Sequence, residues 1–309
     1  MKRIFIGPKQ TTIENNNFFD YSITLFGTNQ GNNVSYSKVL NFEYWNPDNI
    51  NIEIKYYNKQ LAKIRENVEL MAHNPLTLSY CNIPKNVHLI CKNPQNLLTL
   101  LDNKFKTRKL LEKTVPMLNY TFVKGKDFTC KNSILFGKDL VIQLPYGSGG
   151  SKTYFCNFEN YENIIRQLIP DETYAISEYK KNNIPINVHC LIGLNQIEIL
   201  PPSIQEIEIS DKIEYIGSKY DNALKKAIKN KIVKYSTKIC QKLKQLGYKG
   251  VLGIDYIYAN NELYFIEINP RFQGSTRQLD RIMIQSGYLS IFEYNYLCFQ
   301  NKKFLSIKI

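Results

Sequence analysis

The stretch GVLGIDYIYANNELYFIEINPRFQ, residues 250–273, decides the fold of this chain. Two apolar runs, 250–259 and 262–269, flank the pair Asn260 and Asn261. Apolar runs on either side of such a pair predict an antiparallel β-hairpin, because asparagine tolerates the backbone conformation that tight turns require.

Three oxygen-bearing side chains interrupt the apolar hairpin: Asp255, Glu267 and Asn269. Side chains alternate along a strand, so Glu267 and Asn269 share a face, and antiparallel pairing brings Asp255 to the same end. Hard oxygen donors suit Mg²⁺. Each acid alone is more typical of a solvent-facing strand residue. Together, with Pro270 and Arg271 directly after them, they predict a metal site.

A glycine-rich loop, PYGSGGSKT at 145–153, lies between two further predicted strands. Glycines let backbone N–H groups wrap a phosphate, and the neighbouring hydroxyls and lysine add donors. The spacing is that of neither a Walker A loop nor a dinucleotide-binding loop. Taken alone, the loop is equally typical of a tight turn at a hairpin tip.

Residues 250–275 resemble the metal-binding end of the ATP-grasp superfamily, nearest to its biotin-carboxylase-like and carboxylate-amine ligase branches. A weaker resemblance extends over 96–286. It implies an α/β protein with α+β lobes, in the ATP-grasp fold. The three expected parts are an N-terminal α/β domain at 1–95, a small lobe with a glycine-rich lid at 96–180, and a C-terminal lobe with the metal hairpin at 181–309.

The resemblance also implies which residues bind ATP and carry the chemistry. Lys104, with Lys106 as the alternative, would reach the ATP phosphates, and Arg271 would face the substrate carboxylate and its acyl phosphate. Gln143 stands where the family has a second lysine, so either Lys152 compensates or nucleotide affinity is reduced. The other implied nucleotide-binding residues are Gly147, Ser148, Gly149, Gly150 and Ser151 of the lid, Ser177, Glu178, Tyr179 and Lys180 of a hinge between the lobes, and Gln205.

A second departure concerns the ribose. The acid that usually binds it is replaced near Pro185, and Glu178 is the expected substitute. Gln205, in the stretch Ser-Ile-Gln, is equally typical of a loop that ends a strand. Gln273 and Arg277 lie near Arg271 in sequence and are weaker candidates.

The implied cofactors are ATP and Mg²⁺, or Mn²⁺ in its place, held by Asp255, Glu267 and Asn269. The expected reaction activates a carboxylate as an acyl phosphate and forms an amide with release of ADP and phosphate, the carboxylate being that of an amino acid or peptide. The alternatives are loading of an amino acid onto a carrier-protein thiol and a noncatalytic ATP-binding scaffold. A homodimer is left open.

The composition of the chain excludes few classes of function or binding partner. The chain has 309 residues and a formal net charge of +13, which attracts anionic partners such as an acidic carrier protein without choosing among them. No aromatic-and-basic groove motif favours nucleic acid. Seven scattered cysteines predict neither a disulfide framework nor a zinc site. Because no signal-peptide core or membrane span is found, no membrane association and a cytoplasmic location are expected.

Apolar spacing predicts the remaining elements. The three histidines, His73, His88 and His189, form no metal-ligand or nucleophile-base spacing and are expected to be structural. The predicted elements are strands at 2–6, 87–91, 139–144, 152–158, 173–179 and 186–193, helices at 56–71, 97–113 and 221–246, and a polar loop at 26–37.

Overall fold

Three β-sheets organise the computed structural model of the chain. The N-terminal sheet is entirely parallel, in the order β3-β2-β1-β4-β5. Its strands and helices are β1 Lys2–Lys9, β2 Tyr21–Phe26, β3 Val34–Ser35, α1 Ile50–Leu61, β4 Val68–Ala72, α2 Pro75–Leu78 and β5 Val87–Ile90. The structure describes residues 1–9, 18–26, 34–35, 50–129, 137–147, 150, 152–210, 213–220 and 224–307.

The predicted helix over 56–71 is wrong at its C-terminal end. Leu61 ends α1, and Val68 and Met71 lie in β4, where they pair with β1 on one side and β5 on the other. A strand at the centre of a parallel sheet is buried on both faces, so its apolar residues are nearly continuous and also satisfy a helical spacing. The predicted loop at 26–37 contains β3, and most of it lies outside the described residues.

The predicted helix at 97–113 is two helices, α3 Gln95–Asp102 and α4 Lys104–Leu111. Asn103 separates them because its side-chain oxygen accepts hydrogen bonds from the backbone N–H groups of Phe105 and Lys106. An asparagine that caps these donors starts a new helix. Lys104 is thereby the first residue of α4.

The second sheet is antiparallel, in the order β6-β9-β7-β8. Its glycine-rich loop joins β7 to β8, at the tip of the predicted hairpin. The elements of this region are β6 Tyr120–Lys124, β7 Leu140–Gln143, β8 Thr153–Cys156, α5 Tyr161–Gln167 and β9 Thr173–Glu178.

The third sheet has six strands, in the order β13-β12-β10-β14-β15, with β11 paired to β10. Helix α6 buries Ile228, Ile232, Ile239 and Leu243 in the core next to β10 and β14, at about 1.5–3 kcal/mol for each side chain. The elements are β10 Ile184–Ile192, β11 Ile197–Ile199, β12 Ser203–Ile209, β13 Ile213–Lys219, α6 Lys226–Gln245, β14 Gly250–Ala259, β15 Glu262–Asn269, α7 Thr276–Gln285 and α8 Ile291–Phe299.

The predicted hairpin is confirmed, because β14 and β15 pair antiparallel around Asn260 and Asn261. Asp255 lies opposite Glu267, and an irregularity follows directly between Asp255 and Tyr256. A bulge at this place re-aims the side chains beside it. The domain boundaries at 95 and 180 stay a prediction, and in the described ranges no helix is long and apolar enough to span a bilayer.

Candidate active site

A cavity of about 610 Å³ lies where the second and third sheets meet α4 and the segment that follows β15. Most residues that the sequence singles out line it. Gly147 and Lys152 do not, while Ser148, Gly149 and Ser151 lie outside the described residues. The predicted residues that line the cavity are Lys104, Gln143, Gly150, Ser177, Glu178, Tyr179, Lys180, Gln205, Asp255, Glu267, Asn269 and Arg271, together with the weaker candidates Gln273 and Arg277.

We name Asp255 and Glu267 the acidic end of the cavity. Burial and the charge of Glu267 raise the pKa of Asp255 well above its usual range. Burial also acts to raise the pKa of Glu267, but Lys104 and Arg271 outweigh it and hold that pKa below the usual range. Two carboxylates this close repel each other when both are ionised, so a divalent cation between them would be favoured.

The donor set at the acidic end fits Mg²⁺. In the part of the chain that the structure describes, no three His, Cys, Asp or Glu side chains gather into a cluster. Mg²⁺ typically takes one or two protein carboxylates and completes its octahedron with water and phosphate oxygens. Two carboxylates facing an open cavity therefore match Mg²⁺ better than a metal that needs a full protein cage.

Amide side chains hold Asp255 in place. Asn187 donates to Asp255 Oδ1 at 2.6 Å, Asn269 donates to Oδ2 at 2.9 Å, and Gln205 donates to Oδ1 at 3.3 Å. Asn269 thus presents its amide nitrogen to the carboxylates, and its oxygen accepts from Arg271 at 3.0 Å. As a metal ligand, Asn269 would have to turn its amide over.

Lys104 joins the acidic end to the glycine-rich loop. Its Nζ lies 3.1 Å from Glu267 Oε2 and donates to the carbonyl oxygen of Gly147 at 2.9 Å. The side chain is 8 % exposed, so its charge is little screened by water. Lys106, the alternative, is exposed on the opposite side of α4.

The glycine-rich loop packs against the third sheet through Gly150. This residue has φ +86°, and a Cβ built on it would overlap the backbone carbonyl of Ile213. Only glycine therefore allows this approach. Lys152 is exposed at φ 58° and lies outside the cavity. Compensation by Lys152 for the absent second lysine is not seen in the structure.

The predicted hinge residues line the cavity at the end of β9. Lys180 Nζ lies 2.7 Å from Glu178 Oε2, and Lys138 Nζ lies 3.3 Å from the same oxygen. The hydrogen bond from Lys180 outweighs partial burial and lowers the pKa of Glu178. Glu178 is therefore an ionised acceptor, and the Tyr179 backbone is held by a 2.7 Å hydrogen bond to Asp139.

A second set of polar residues on the cavity wall is joined by hydrogen bonds. Arg108 donates to Gln143 Oε1, and Gln143 Nε2 donates to Thr153 Oγ1 at 3.4 Å. We name these three residues the donor line. All three are buried, and all three line the cavity.

The segment that follows β15, which contains Arg271 and Phe272, connects the acidic end to the N-terminal sheet. The backbone N–H of Phe272 donates to the carbonyl oxygen of His73 at 3.1 Å, directly after β4. Burial, with a smaller effect of Arg271, lowers the pKa of His73 to about 3. His73 is neutral at physiological pH and lines the cavity, although the sequence predicts only a structural role.

Sequence reasoning missed three residues at this site: Asn187, His73 and Arg108. Asn187 is a polar residue within the apolar strand β10, a signal of the same kind as that of Asp255. Arg108 follows Lys104 by four residues, the spacing that puts two side chains on one helix face. His73 carries no such signal. It follows β4 of the N-terminal sheet, and its position beside the cavity depends on how that sheet packs against the segment after β15.

A family model of the ATP-grasp domain matches residues 101–275, more than half of the chain. The chain belongs to the ATP-grasp family. The predicted α/β fold with α+β lobes is confirmed by this match and by solved structures of the same fold. The matched range contains the acidic end, the donor line and Arg271.

Two curated relatives resemble the chain in sequence. The D-alanine–D-alanine ligase of Fusobacterium nucleatum subsp. nucleatum is 32 % identical over 136 residues, covering 42 % of this chain and 45 % of that one. The [butirosin acyl-carrier protein]–L-glutamate ligase of Niallia circulans is 24 % identical over 213 residues, covering 65 % and 50 %. The chain thus spans about half the length of these relatives.

Solved structures share the fold. The biotin carboxylase domain of Hydrogenobacter thermophilus 2-oxoglutarate carboxylase, with MgADP, ADP and bicarbonate, superposes with a TM-score of 0.68 at 13 % identity over 99 % of this chain and 71 % of that one. N5-carboxyaminoimidazole synthetase from Staphylococcus aureus, with ADP, gives a TM-score of 0.61 at 13 % identity over 99 % and 79 %.

Proposed function

We propose that this ATP-grasp protein is an ATP-dependent ligase that activates a carboxylate as an acyl phosphate and joins it to an amine. The observation that carries the proposal is the acidic end, where buried Asp255 and partly buried Glu267 lie beside two cations, Lys104 and Arg271. Lys104 contacts Glu267 at 3.1 Å, and Arg271 donates to Asn269 beside it. This arrangement combines a cation site with fixed positive charges, as phosphoryl transfer requires.

Asp255 and Glu267 would hold the metal. Mg²⁺ bound there would neutralise the negative charge of the ATP phosphates during transfer of the γ-phosphoryl group. Lys104 would contact the same phosphates from the opposite side, and the backbone of the glycine-rich loop would cover them. The glycine-rich loop meets β13 at Gly150, which would limit the access of water to a hydrolysable acyl phosphate.

The chemistry follows in two steps. A carboxylate oxygen of the substrate attacks the γ-phosphorus of ATP, and ADP leaves with the bond electrons. The amine nitrogen then attacks the acyl carbon, inorganic phosphate leaves, and the amine loses one proton. Arg271 would stabilise the charge on the carboxylate and the transferred phosphoryl group, because its planar guanidinium matches both groups of oxygens.

The substrate class comes from the relatives and the charge of the chain. Joining of amino acids is supported by the similarity to a D-alanine–D-alanine ligase, so an amino acid or peptide carboxylate is our first choice. Loading of an amino acid onto an acidic carrier protein is the second candidate. It is supported by the similarity to a carrier-protein ligase and by the net charge of +13.

The test is ADP release from Mg-ATP in the presence of an amino-acid pool and hydroxylamine, by wild type and Glu267→Gln in parallel. We expect ADP and a hydroxamate from wild type only, because hydroxylamine captures an acyl phosphate. Splitting the pool then identifies the carboxylate.

Glu262→Gln is the matched control. Glu262 begins the same strand but pairs with Lys231 at 3.0 Å, and it does not line the cavity. This control keeps wild-type turnover. Binding of ATP without ADP release under any amino-acid or carrier supply would identify the noncatalytic scaffold and refute the ligase.

A further inference from the structure

The donor line contains a buried charge that its neighbours do not balance. Arg108 is 6 % exposed, and among the described residues no carboxylate lies within 4 Å of it. Lys104, four residues earlier, differs because Glu267 neutralises it. Burial lowers the pKa of Arg108 and outweighs the opposing effect of the Glu267 charge, which lies beyond ion-pair distance, but a guanidinium stays protonated in proteins. Buried charges are normally paired, so this one lacks an anion.

The guanidinium is held in a fixed orientation. It donates to Gln143 Oε1 on one side, and its Cζ lies 5.7 Å from the centre of the Tyr120 ring on another. Arginine has five N–H donors, and in the described part of the chain Arg108 donates to Gln143 alone. Because Arg108 lines the cavity, a bound ligand could accept from the others.

Gln143 adds further hydrogen-bond donors beside Arg108. Arg108 donates to the Gln143 side-chain oxygen, and the NH₂ group of Gln143 donates to Thr153 Oγ1; both Gln143 and Thr153 line the cavity. The pair therefore presents donors rather than acceptors to the cavity. An array of donors around one positive charge selects an anion with several oxygens.

The position of the donor line indicates which anion would bind to it. Gln143 and Thr153 are the paired residues at the base of the glycine-rich loop. Lys104 lies one helical turn from Arg108 and contacts that loop at Gly147. A polyphosphate entering under the loop would meet Lys104 and Arg108 in turn.

We propose that Arg108 is a ligand of the nucleotide phosphate oxygens and that Gln143 positions it. This inference rests on the proposed function only in that both require ATP as the ligand. Gln143 then contributes to nucleotide binding through the guanidinium that it orients, and not through a charge of its own.

The first variant is Arg108→Met, which keeps the length of the side chain and removes the charge. We expect the affinity for Mg-ADP to fall about tenfold or more, while the affinity for adenosine stays the same. We also expect the melting temperature of the nucleotide-free protein to stay the same or rise, because an unpaired buried charge has been removed. Calorimetric titration and thermal unfolding measure the two effects.

The second variant is Gln143→Glu, which gives Arg108 an internal anion. Affinity for Mg-ADP is expected to fall about as far as in Arg108→Met, although the arginine is still present. Gln143→Met removes only the positioning, so its loss is expected to be smaller. Arg166→Met, on the exposed side of α5 in the same region, is the control that keeps wild-type affinity.

Unchanged Mg-ADP affinity in Arg108→Met overturns this inference and leaves the proposed function intact. Equal losses for ADP and adenosine, together with a lower melting temperature, assign Arg108 a structural role and also overturn it. If wild type binds no nucleotide, both proposals fail. Selective loss of ADP affinity without any ligase activity supports the phosphate site and refutes only the ligase.

Discussion

The acidic end and the donor line face one cavity with opposite charges. Asp255 and Glu267 bring two carboxylates together, whereas Arg108, Gln143 and Thr153 bring together a cation and amide and hydroxyl donors. Lys104 and Arg271 balance part of the charge at the acidic end, whereas among the described residues no carboxylate forms an ion pair with Arg108. In the proposed function, a nucleotide phosphate with its magnesium ion would supply a ligand of the opposite sign to each region.

The two regions also differ in how they are built. The acidic end belongs to one hairpin, and Lys104 and Arg271 flank it closely. The donor line joins a helix to a sheet across 35 residues of sequence. A rigid hairpin fixes the carboxylates, while the donor line depends on the packing of two elements.

The largest expected effect comes from breaking the acidic end. We expect Glu267→Gln to lower the rate of ADP release by about three orders of magnitude, because it removes one of the two proposed metal ligands and the ion-pair partner of Lys104. Its circular dichroism spectrum should match that of wild type. Turnover within tenfold of wild type would remove the acidic end from the chemistry.

Arg271→Ala separates the acidic end from the substrate beyond it. We expect substrate-dependent ADP release to fall about a hundredfold, while the affinity for Mg-ATP stays within about threefold of wild type. Stopped-assay kinetics and calorimetric titration give the two values. Equal loss of both would show that Arg271 serves the nucleotide or the fold rather than the carboxylate.

Gly150→Ala tests the contact between the glycine-rich loop and the third sheet. A methyl group there would overlap the Ile213 carbonyl, so we expect Mg-ADP affinity to fall about tenfold. Gly137→Ala is the matched control, because Gly137 also has positive φ, at +79°, but no described atom within 4 Å. Both variants place an alanine at positive φ, which costs about 1–2 kcal/mol, and only the first also has the overlap.

The smallest effect concerns the scaffold behind the acidic end. Burial lowers the pKa of His189 to about 3, and its Nε2 contacts Thr276 Oγ1 at 2.9 Å. The unfolded chain takes up a proton below the ordinary value of about 6.5, whereas the folded chain does not, so stability is lost as pH falls from about 6.5 to about 3.

His189→Gln removes this proton linkage. Between pH 7 and pH 5, we expect wild type to lose about 2 kcal/mol more of its unfolding free energy than the variant does. Urea unfolding at both pH values measures the difference, and the other titrating groups are common to the two proteins. Parallel losses in both proteins would show that His189 does not stay neutral in the fold.

Local signals in the sequence were sufficient to predict the hairpin and the position of its two acidic residues. An Asn-Asn turn, alternation along two strands and the acids at 255 and 267 act within 24 residues, so their arrangement follows from strand geometry. Lys104 was also identified, through the resemblance rather than through geometry. The roles of these residues stay predictions until the variants are measured.

Tertiary structure decided what depends on distant partners. Val68 and Met71 fit a helix by spacing, but pairing with β1 and β5 makes them a strand. Arg108 lines the cavity because α4 brings it into contact with Gln143. His73 lines the same cavity because its carbonyl group, directly after β4, accepts from the backbone of Phe272. Periodicity records which side chains share a face. It carries no information on which faces meet, because long-range packing among several elements determines that.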